Sequence, residues 1–351
     1  MTLPAISIII PTWNRCELLQ QTLDSIQRQT FQDWEALVID DGSNDSTEEK
    51  VQEISQLDSR IKYLKRICTN AGACACRNEG TELSQGKYII YLDSDDCLAP
   101  WLLENRWREM EKNSDLDFAI FPGVLFRHQP GDMKLLWNAD TEENDLDRFL
   151  KLEAPWQTTS PIWRRSSLVK LAWNEELPSL QDWDFHLRAV ILNLKYDRFS
   201  PPDFFWRIPR EESISRKSKS VEHPKAYERL FSQIQQLLDD AGLLTNYRRI
   251  LLGGMYFWLA EIWLDRGEKL EALRVWKACY DRNLIESSHY FQGGWYLKTI
   301  SNLPRFIRRL VRKYLEFTWP KGLAFKWSKT FRQTPLPPEY QLDISSLLTV
   351  R

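Results

Sequence analysis

The sequence predicts an α/β fold: a Rossmann-like, mostly parallel sheet with helices on both faces, followed by an α-helical region. Three observations carry this. Short apolar runs alternate with helical periodicity over the first 125 residues, and a βαβα order requires crossover connections and hence parallel strands. The runs are continuous rather than alternating, as expected of strands buried on both faces. Beyond His223 the pattern changes to helical spacing alone.

Each element has its own signal. Residues 5–11 (AISIIIP) form a β-branched run and read as a first strand. Asn14 and Glu17 read as N-cap and capping-box partner of a helix to about residue 29. Residues 35–40 (EALVID) are a second strand, and Asp45 with Glu48 opens the next helix. A third strand is expected at 61–66, a helix at 73–83 and a fourth strand at 88–93. Pro100 suits the first turn of a helix running to about residue 112. Residues 118–124 read as a fifth strand. From 141 to 209 the pattern is mixed. Residues 256–280 show apolar residues at helical spacing on both sides of Arg266-Gly267-Glu268, which resembles one tetratricopeptide hairpin.

Composition narrows the class. The chain has 351 residues, 43% hydrophobic and 27% charged, with a net charge of -2. That is an ordinary globular composition, and the balance offers no reason to bind nucleic acid. The 16 Trp read chiefly as packed core. The start lacks a charged leader and a cleavage pattern. The longest apolar stretch, 250–264, falls short of the roughly 20 residues of a membrane span and contains Glu261. Six cysteines, at 16, 68, 74, 76, 97 and 279, complete no zinc pattern and read as free thiols in a reducing cytoplasm.

Two acidic segments lie at expected strand ends: Asp40-Asp41-Gly42-Ser43-Asn44-Asp45 and Asp93-Ser94-Asp95-Asp96. Ligands of parallel sheets bind at the carboxyl ends of the strands. Either segment alone could be a turn. An EF-hand does not fit, because the glycine is misplaced in the first segment and missing from the second. Three carboxylates within four residues repel one another unless a cation or a fixed hydrogen-bond network compensates. An Asp-x-Asp at a strand end suits a hard divalent ion that keeps its other positions for water and a diphosphate.

At this point the sequence resembles glycosyltransferase family 2, a large inverting family with the GT-A fold. The resemblance covers roughly residues 5–215. It rests on 7–15 (SIIIPTWNR), 38–47 (VIDDGSNDST), 70–78 (NAGACACRN), 86–96 (GKYIIYLDSDD) and 181–188 (QDWDFHLR), in the family's order and spacing. It implies that Pro11 and Thr12 line a nucleotide pocket and that Asp40 accepts a hydrogen bond from the base, typically uracil, with Asp41 close by. It implies that Arg77 faces the nucleotide or diphosphate, and that Asp93 and Ser94 lie toward the nucleotide. Asp93 and Asp95 would hold a Mn2+ or Mg2+ ion, Asp95 directly. Asp182 matches the catalytic base. The family usually has Glu-Asp there, whereas this chain has Gln181-Asp182, which keeps the base and puts acceptor binding in question. His186 is expected to be structural.

The resemblance thus implies transfer of a sugar from a nucleotide diphosphate sugar, typically a UDP-sugar, to a hydroxyl of a glycan or lipid-linked glycan. The chemistry needs leaving-group charge neutralised and a carboxylate to take the acceptor's proton. Residues 1–215 are expected to be the catalytic domain, 222–300 a helical domain and 301–351 a tail. From 304 to 332 that tail carries nine Lys and Arg against Glu316, interleaved with aromatics. Contact with an anionic membrane through 304–332 is one expectation, giving a cytoplasmic protein peripheral on the inner face of the membrane; a docked or solvated helix is the other. A non-catalytic nucleotide-sugar-binding or scaffold protein is the rival from another class. A glycoside hydrolase would also use two carboxylates but does not need the nucleotide-pocket motifs.

Overall fold

The computed structural model describes residues 3–137, 141–208, 222–300, 303–320, 323 and 333–340. In chain order the first half contains β1 (Ile6–Thr12), α1 (Cys16–Gln27), β2 (Trp34–Asp40), α2 (Thr47–Leu57), β3 (Ile61–Lys65), α3 (Ala73–Leu83), β4 (Tyr88–Tyr91) and β5 (Cys97–Leu98). There follow α4 (Leu102–Lys112), β6 (Phe118–Ile120), β7 (Gly123–Phe126), β8 (Leu135–Trp137), α5 (Asp145–Leu150), β9 (Pro161–Arg164), α6 (Gln181–Ile191), β10 (Tyr196–Arg198) and β11 (Phe204–Arg207).

The main sheet runs β10-β6-β9-β4-β1-β2-β3. Its pairs are parallel except at β9, which lies antiparallel between β4 and β6. The all-apolar run of β1 follows from its central place. Ile6, Ile8 and Ile10 pack with Leu19, Leu23 and Ile26 of α1, while Ile9 faces the opposite layer with Cys76 of α3. Each such side chain, taken fully out of water, contributes about 1.5–3 kcal/mol. Gly80 permits the close approach of α3, since a Cβ there would lie 2.4 Å from Ile9 Cγ2.

A second sheet, β12-β8-β7-β11-β5, includes β12 (Thr334–Pro335), which pairs antiparallel with β8. The strand expected over 118–124 is in fact two, split between the sheets at Phe121-Pro122. Proline has no N–H to continue the ladder, so the chain turns out of the main sheet there. The expected Asn14 cap is also corrected. Asn14 has φ 49°, and its side chain accepts from Asn44 N (2.8 Å), so it ties two loops together instead of capping α1. Asp45 accepts from Thr47 N (3.1 Å) beside the start of α2.

Arg106 of α4 and Asp203, just before β11, form a fully buried bidentate pair at 2.7 and 2.8 Å. Arg106 also donates to Thr159 O at 2.8 Å. Arg106 thus joins α4 to the segments that lead into β9 of the main sheet and β11 of the second.

The helices that follow are α7 (Glu222–Asp240), α8 (Asn246–Asp265), α9 (Lys269–Asp281), α10 (Ser287–Thr299) and α11 (Arg305–Thr318). Gly267, at φ 85°, makes the turn between α8 and α9. Tyr256, Phe257, Trp263 and Trp276 are buried, so these aromatics are core. The helices pack on the α/β half: Arg248 pairs with Asp147 at 2.7 Å, and Trp183 meets Phe231 edge to face. No helix among the described residues is long and apolar enough to cross a membrane.

Helix α11 docks by one face. Arg308 pairs with Asp265 (2.8 Å) and Arg312 with Glu261 (2.7 Å). Beyond it Trp319 stacks on Trp276, with planes 6° apart. The other face exposes Phe306, Leu310, Tyr314 and Phe317. Most of the tail's remaining basic residues, Lys321, Lys326, Lys329 and Arg332, lie outside the described residues.

Candidate active site

The parallel strands β1, β2 and β4 end at one edge, and their last residues build the site. Thr12 is in register with Asp40. Pro11 and Thr12 are buried, and the Thr12 hydroxyl has no hydrogen-bond partner among the described residues. A buried hydroxyl without a partner is costly unless a water or ligand completes it.

The turn after β2 positions two aspartates differently. Gly42 takes φ 87° and lets the chain double back. Asp40, 1% exposed, accepts from Ser43 N (2.9 Å) and Ser43 Oγ (2.7 Å) through one oxygen, and from Tyr63 Oη (2.7 Å) through the other. Asp41 pairs with Arg66 (2.5 Å) and accepts from Gly72 N (2.9 Å). The two thus fix the loops around the strand ends, and Tyr63 is held protonated by burial and by Asp40.

The loop after β4 carries the other carboxylates. Asp93 pairs with Arg77 (2.7 Å) and Asp95 with Arg15 (2.6 Å). Ser94 is buried between them. Asp96 turns inward, accepting from Arg207 N (3.0 Å) and Thr159 Oγ1 (3.2 Å). Burial, followed by repulsion from Asp95 and Asp93, raises its pKa well above the usual carboxylate range. Asp95 is also raised, chiefly by burial, with Arg15 opposing.

Arg77 is the hub. It projects from α3, donates to Asp93, lies 3.4 Å from Gln181 Oε1 and stacks over the Trp173 ring at 4.4 Å. Burial opposes its charge, yet its pKa is raised because Asp93 compensates. Gln181 opens α6, and Asp182 is the next residue. The structure therefore brings Arg77, Asp93 and the Gln181-Asp182 pair together across 105 residues of sequence. Gln181 spends its side chain on Arg77 and on Leu177 O (2.9 Å).

Asp182 accepts from Trp183 N (2.9 Å) but is not the helix cap; Leu180, at φ 62°, holds that position. Its pKa is raised, first by burial and then by Asp93. The sequence offered no reason for such a shift, because the neighbour at 181 is neutral. Asp184 is buried and grips Arg188 (2.7 Å). His186 lies in the core beside Trp156, Trp163 and Trp173, and burial lowers its pKa to about 3, so it is neutral. The cysteines are free thiols, and Cys74, Cys76 and Cys97 are pushed up to about 12 by burial.

Several site residues escape sequence reasoning. Arg15 pairs with a carboxylate 80 positions away, and Arg207 donates through Nε to Asp95 O (2.8 Å). A lone Arg in a loop carries no signal of such a partner.

A mostly parallel sheet whose strand ends gather carboxylates and arginines, with a helix N-terminus bringing a further carboxylate, defines a GT-A type transferase. The profile "Glycosyl transferase family 2" matches residues 7–169. An uncharacterized glycosyltransferase of Methanocaldococcus jannaschii is 31% identical, covering 62% of this chain and 76% of that one. The GalNAc(5)-diNAcBac-PP-undecaprenol β-1,3-glucosyltransferase of Campylobacter jejuni is 39% identical, over 50% of this chain and 56% of its own. Among solved structures, S. aureus TarS in complex with UDP-GlcNAc superposes with a TM-score of 0.65 at 18% identity, covering 88% of this chain and 92% of that one. The chain belongs to glycosyltransferase family 2 and is a glycosyltransferase.

Proposed function

We propose that this protein transfers a sugar, with inversion, from a UDP-sugar to a hydroxyl of a glycan or lipid-linked glycan, with Asp182 as general base. The observation that carries the reading is Arg77, which joins the Asp93 strand end to the start of α6 and so sets the base beside the donor site. Thr12, with Pro11, Asp40 and Asp41, lines the nucleotide end. Ser94 and Asp93 lie toward the ribose, and Arg77 toward the diphosphate. One carboxylate on the face opposite the leaving group delivers the acceptor oxygen from behind and inverts the anomeric carbon. The UDP-GlcNAc complex of the TarS fold and the lipid-linked acceptor in the name of the C. jejuni relative support the donor and acceptor classes.

Asp93 and Asp95 fit a Mn2+ or Mg2+ ion. Both are hard oxygen donors in the loop that follows β4, two residues apart. Such a set suits an ion that takes its other ligands from water and the diphosphate. Bound there, the ion would neutralise charge on the leaving UDP. Asp95→Ala is expected to abolish divalent-ion-dependent UDP binding without loss of fold, checked by calorimetry and circular dichroism. A variant that binds UDP and Mn2+ like the wild type overturns the metal assignment.

The exposed face of α11 favours a second element of the reading: peripheral contact with an anionic membrane through 304–332, on its cytoplasmic side. Phe306, Leu310, Tyr314 and Phe317 form one outward stripe at helical spacing, bordered by exposed Lys313. An interfacial helix buries such a stripe, and each nearby Lys or Arg adds about 1 kcal/mol toward anionic lipid. The whole protein is expected to float with liposomes containing phosphatidylserine and not with neutral ones. The triple variant Phe306→Ser, Leu310→Ser, Phe317→Ser is expected to stay in the soluble fraction. Equal flotation of both proteins, or of neither, rules the contact out.

A further inference from the structure

Asp95 does not stand open to an incoming ion. Arg15 covers it: guanidinium NH1 is 2.6 Å from Oδ2, in a pair only partly exposed to water. Arg15 belongs to the turn between β1 and α1, on the nucleotide side of the site, and its carbonyl accepts from Leu19 N (2.9 Å), which anchors its main chain. On the other flank, Arg207 fixes the Asp95 main chain through the carbonyl. Asp93 has its own guanidinium in Arg77, which Trp173 and Gln181 hold in place.

The two carboxylates assigned to the metal are therefore each matched by one arginine. The arginines differ in freedom. Arg77 is buried and held on three sides, whereas the Arg15 side chain is 31% exposed. A dication approaching Asp95 competes with Arg15 for the same oxygen, and the displaced guanidinium then needs an anion. A diphosphate arriving with the ion supplies one, since guanidinium matches phosphate geometry well.

We propose that Arg15 is an internal counter-ion that makes metal and nucleotide binding interdependent: it holds Asp95 in the free enzyme, yields it to the divalent ion and passes to the diphosphate. This rests on the metal-assisted reading of the same site. Metal alone then binds weakly, because it must strip Arg15 from Asp95 without giving it a new partner. Metal with nucleotide binds well, because the exchange leaves every charge matched. Coupling of this kind is reciprocal, so the nucleotide gains from the metal what the metal gains from the nucleotide.

The test is Mn2+ titration followed by electron paramagnetic resonance, on the full chain, with and without UDP. Arg15→Gln is expected to bind Mn2+ alone about tenfold more tightly than the wild type, within the usual range of coupling factors. The enhancement that UDP gives to Mn2+ binding is expected to shrink in the same variant. Arg15→Lys keeps the positive charge and is expected to resemble the wild type, which separates charge competition from a disturbed loop. If Arg15→Gln binds Mn2+ alone no more tightly than the wild type, or if the Lys variant behaves like Gln, the counter-ion role is overturned while the metal site stands. If the wild type binds no Mn2+ even with UDP present, the metal-assisted reading fails and the inference with it.

Discussion

Asp182→Asn is expected to lower turnover by about 10² or more, as removal of a general base does, while UDP-sugar affinity and melting temperature stay near wild type. The expectation follows from where the carboxylate lies. It is the second residue of α6, and the hydrogen bond it accepts comes from Trp183 N, within its own helix. Asn keeps an oxygen for that bond, so the helix start survives. A capping role would instead give a stability loss of about 1 kcal/mol with near-normal transfer in the folded fraction. Turnover and melting temperature measured on the same variant separate the two, and a competent Asn protein ends the proposed mechanism.

The pH dependence adds a second readout. Burial and Asp93 raise the Asp182 pKa, and a base works only when ionised. The acid limb of kcat/KM is therefore expected above the ordinary aspartate value of about 3.9, with activity falling as pH drops through the raised pKa. The sign for stability is opposite. A carboxyl whose folded pKa is raised favours folding when protonated, and that contribution is lost as pH rises through the folded value. Replacing it with Asn is thus expected to leave stability unchanged or slightly higher at neutral pH.

The strands most legible in the sequence were those whose burial has one cause. β1, β2 and β4 are covered on both faces, so an unbroken apolar run marks them, and the acidic segments that follow place their carboxyl ends. The Asn14 cap failed because a better partner, Asn44, is brought close only by the fold. β9 escaped because its four residues, Pro161 to Arg164, are too few to show a period, and its antiparallel pairing depends on β4 and β6. In the site, the carboxylates were legible because three in four residues demand compensation. What compensates them was not, because Arg15, Arg77 and Arg207 reach them from three different elements. The raised pKa of Asp182 was hidden for the same reason: desolvation belongs to the packed molecule and not to the neighbours in sequence.

Arg106→Met is expected to cost about 3–5 kcal/mol of stability, the range for breaking a buried ion pair by removing one partner. Both side chains are fully buried, and the geometry is bidentate. Methionine fills much of the arginine's volume, so the loss comes chiefly from leaving the Asp203 carboxylate without its cation. Burial already raises the Asp203 pKa, and Arg106 is what opposes the shift. Without Arg106 the carboxyl is expected to take up a proton more readily, so the stability gap between variant and wild type should narrow toward acid pH. Urea unfolding across pH measures this directly. The double variant Arg106→Met, Asp203→Leu is expected to be more stable than Arg106→Met alone, since no unpaired charge remains, and a double-mutant cycle gives the coupling. The pair also supports the site from below. Asp203 O accepts from Ala99 N at 2.8 Å, and Arg106 holds Thr159, whose hydroxyl reaches Asp96. The folded fraction of Arg106→Met is therefore expected to bind UDP with Mn2+ more weakly than the wild type. Equal stability at all pH values would show that the pair contributes packing alone.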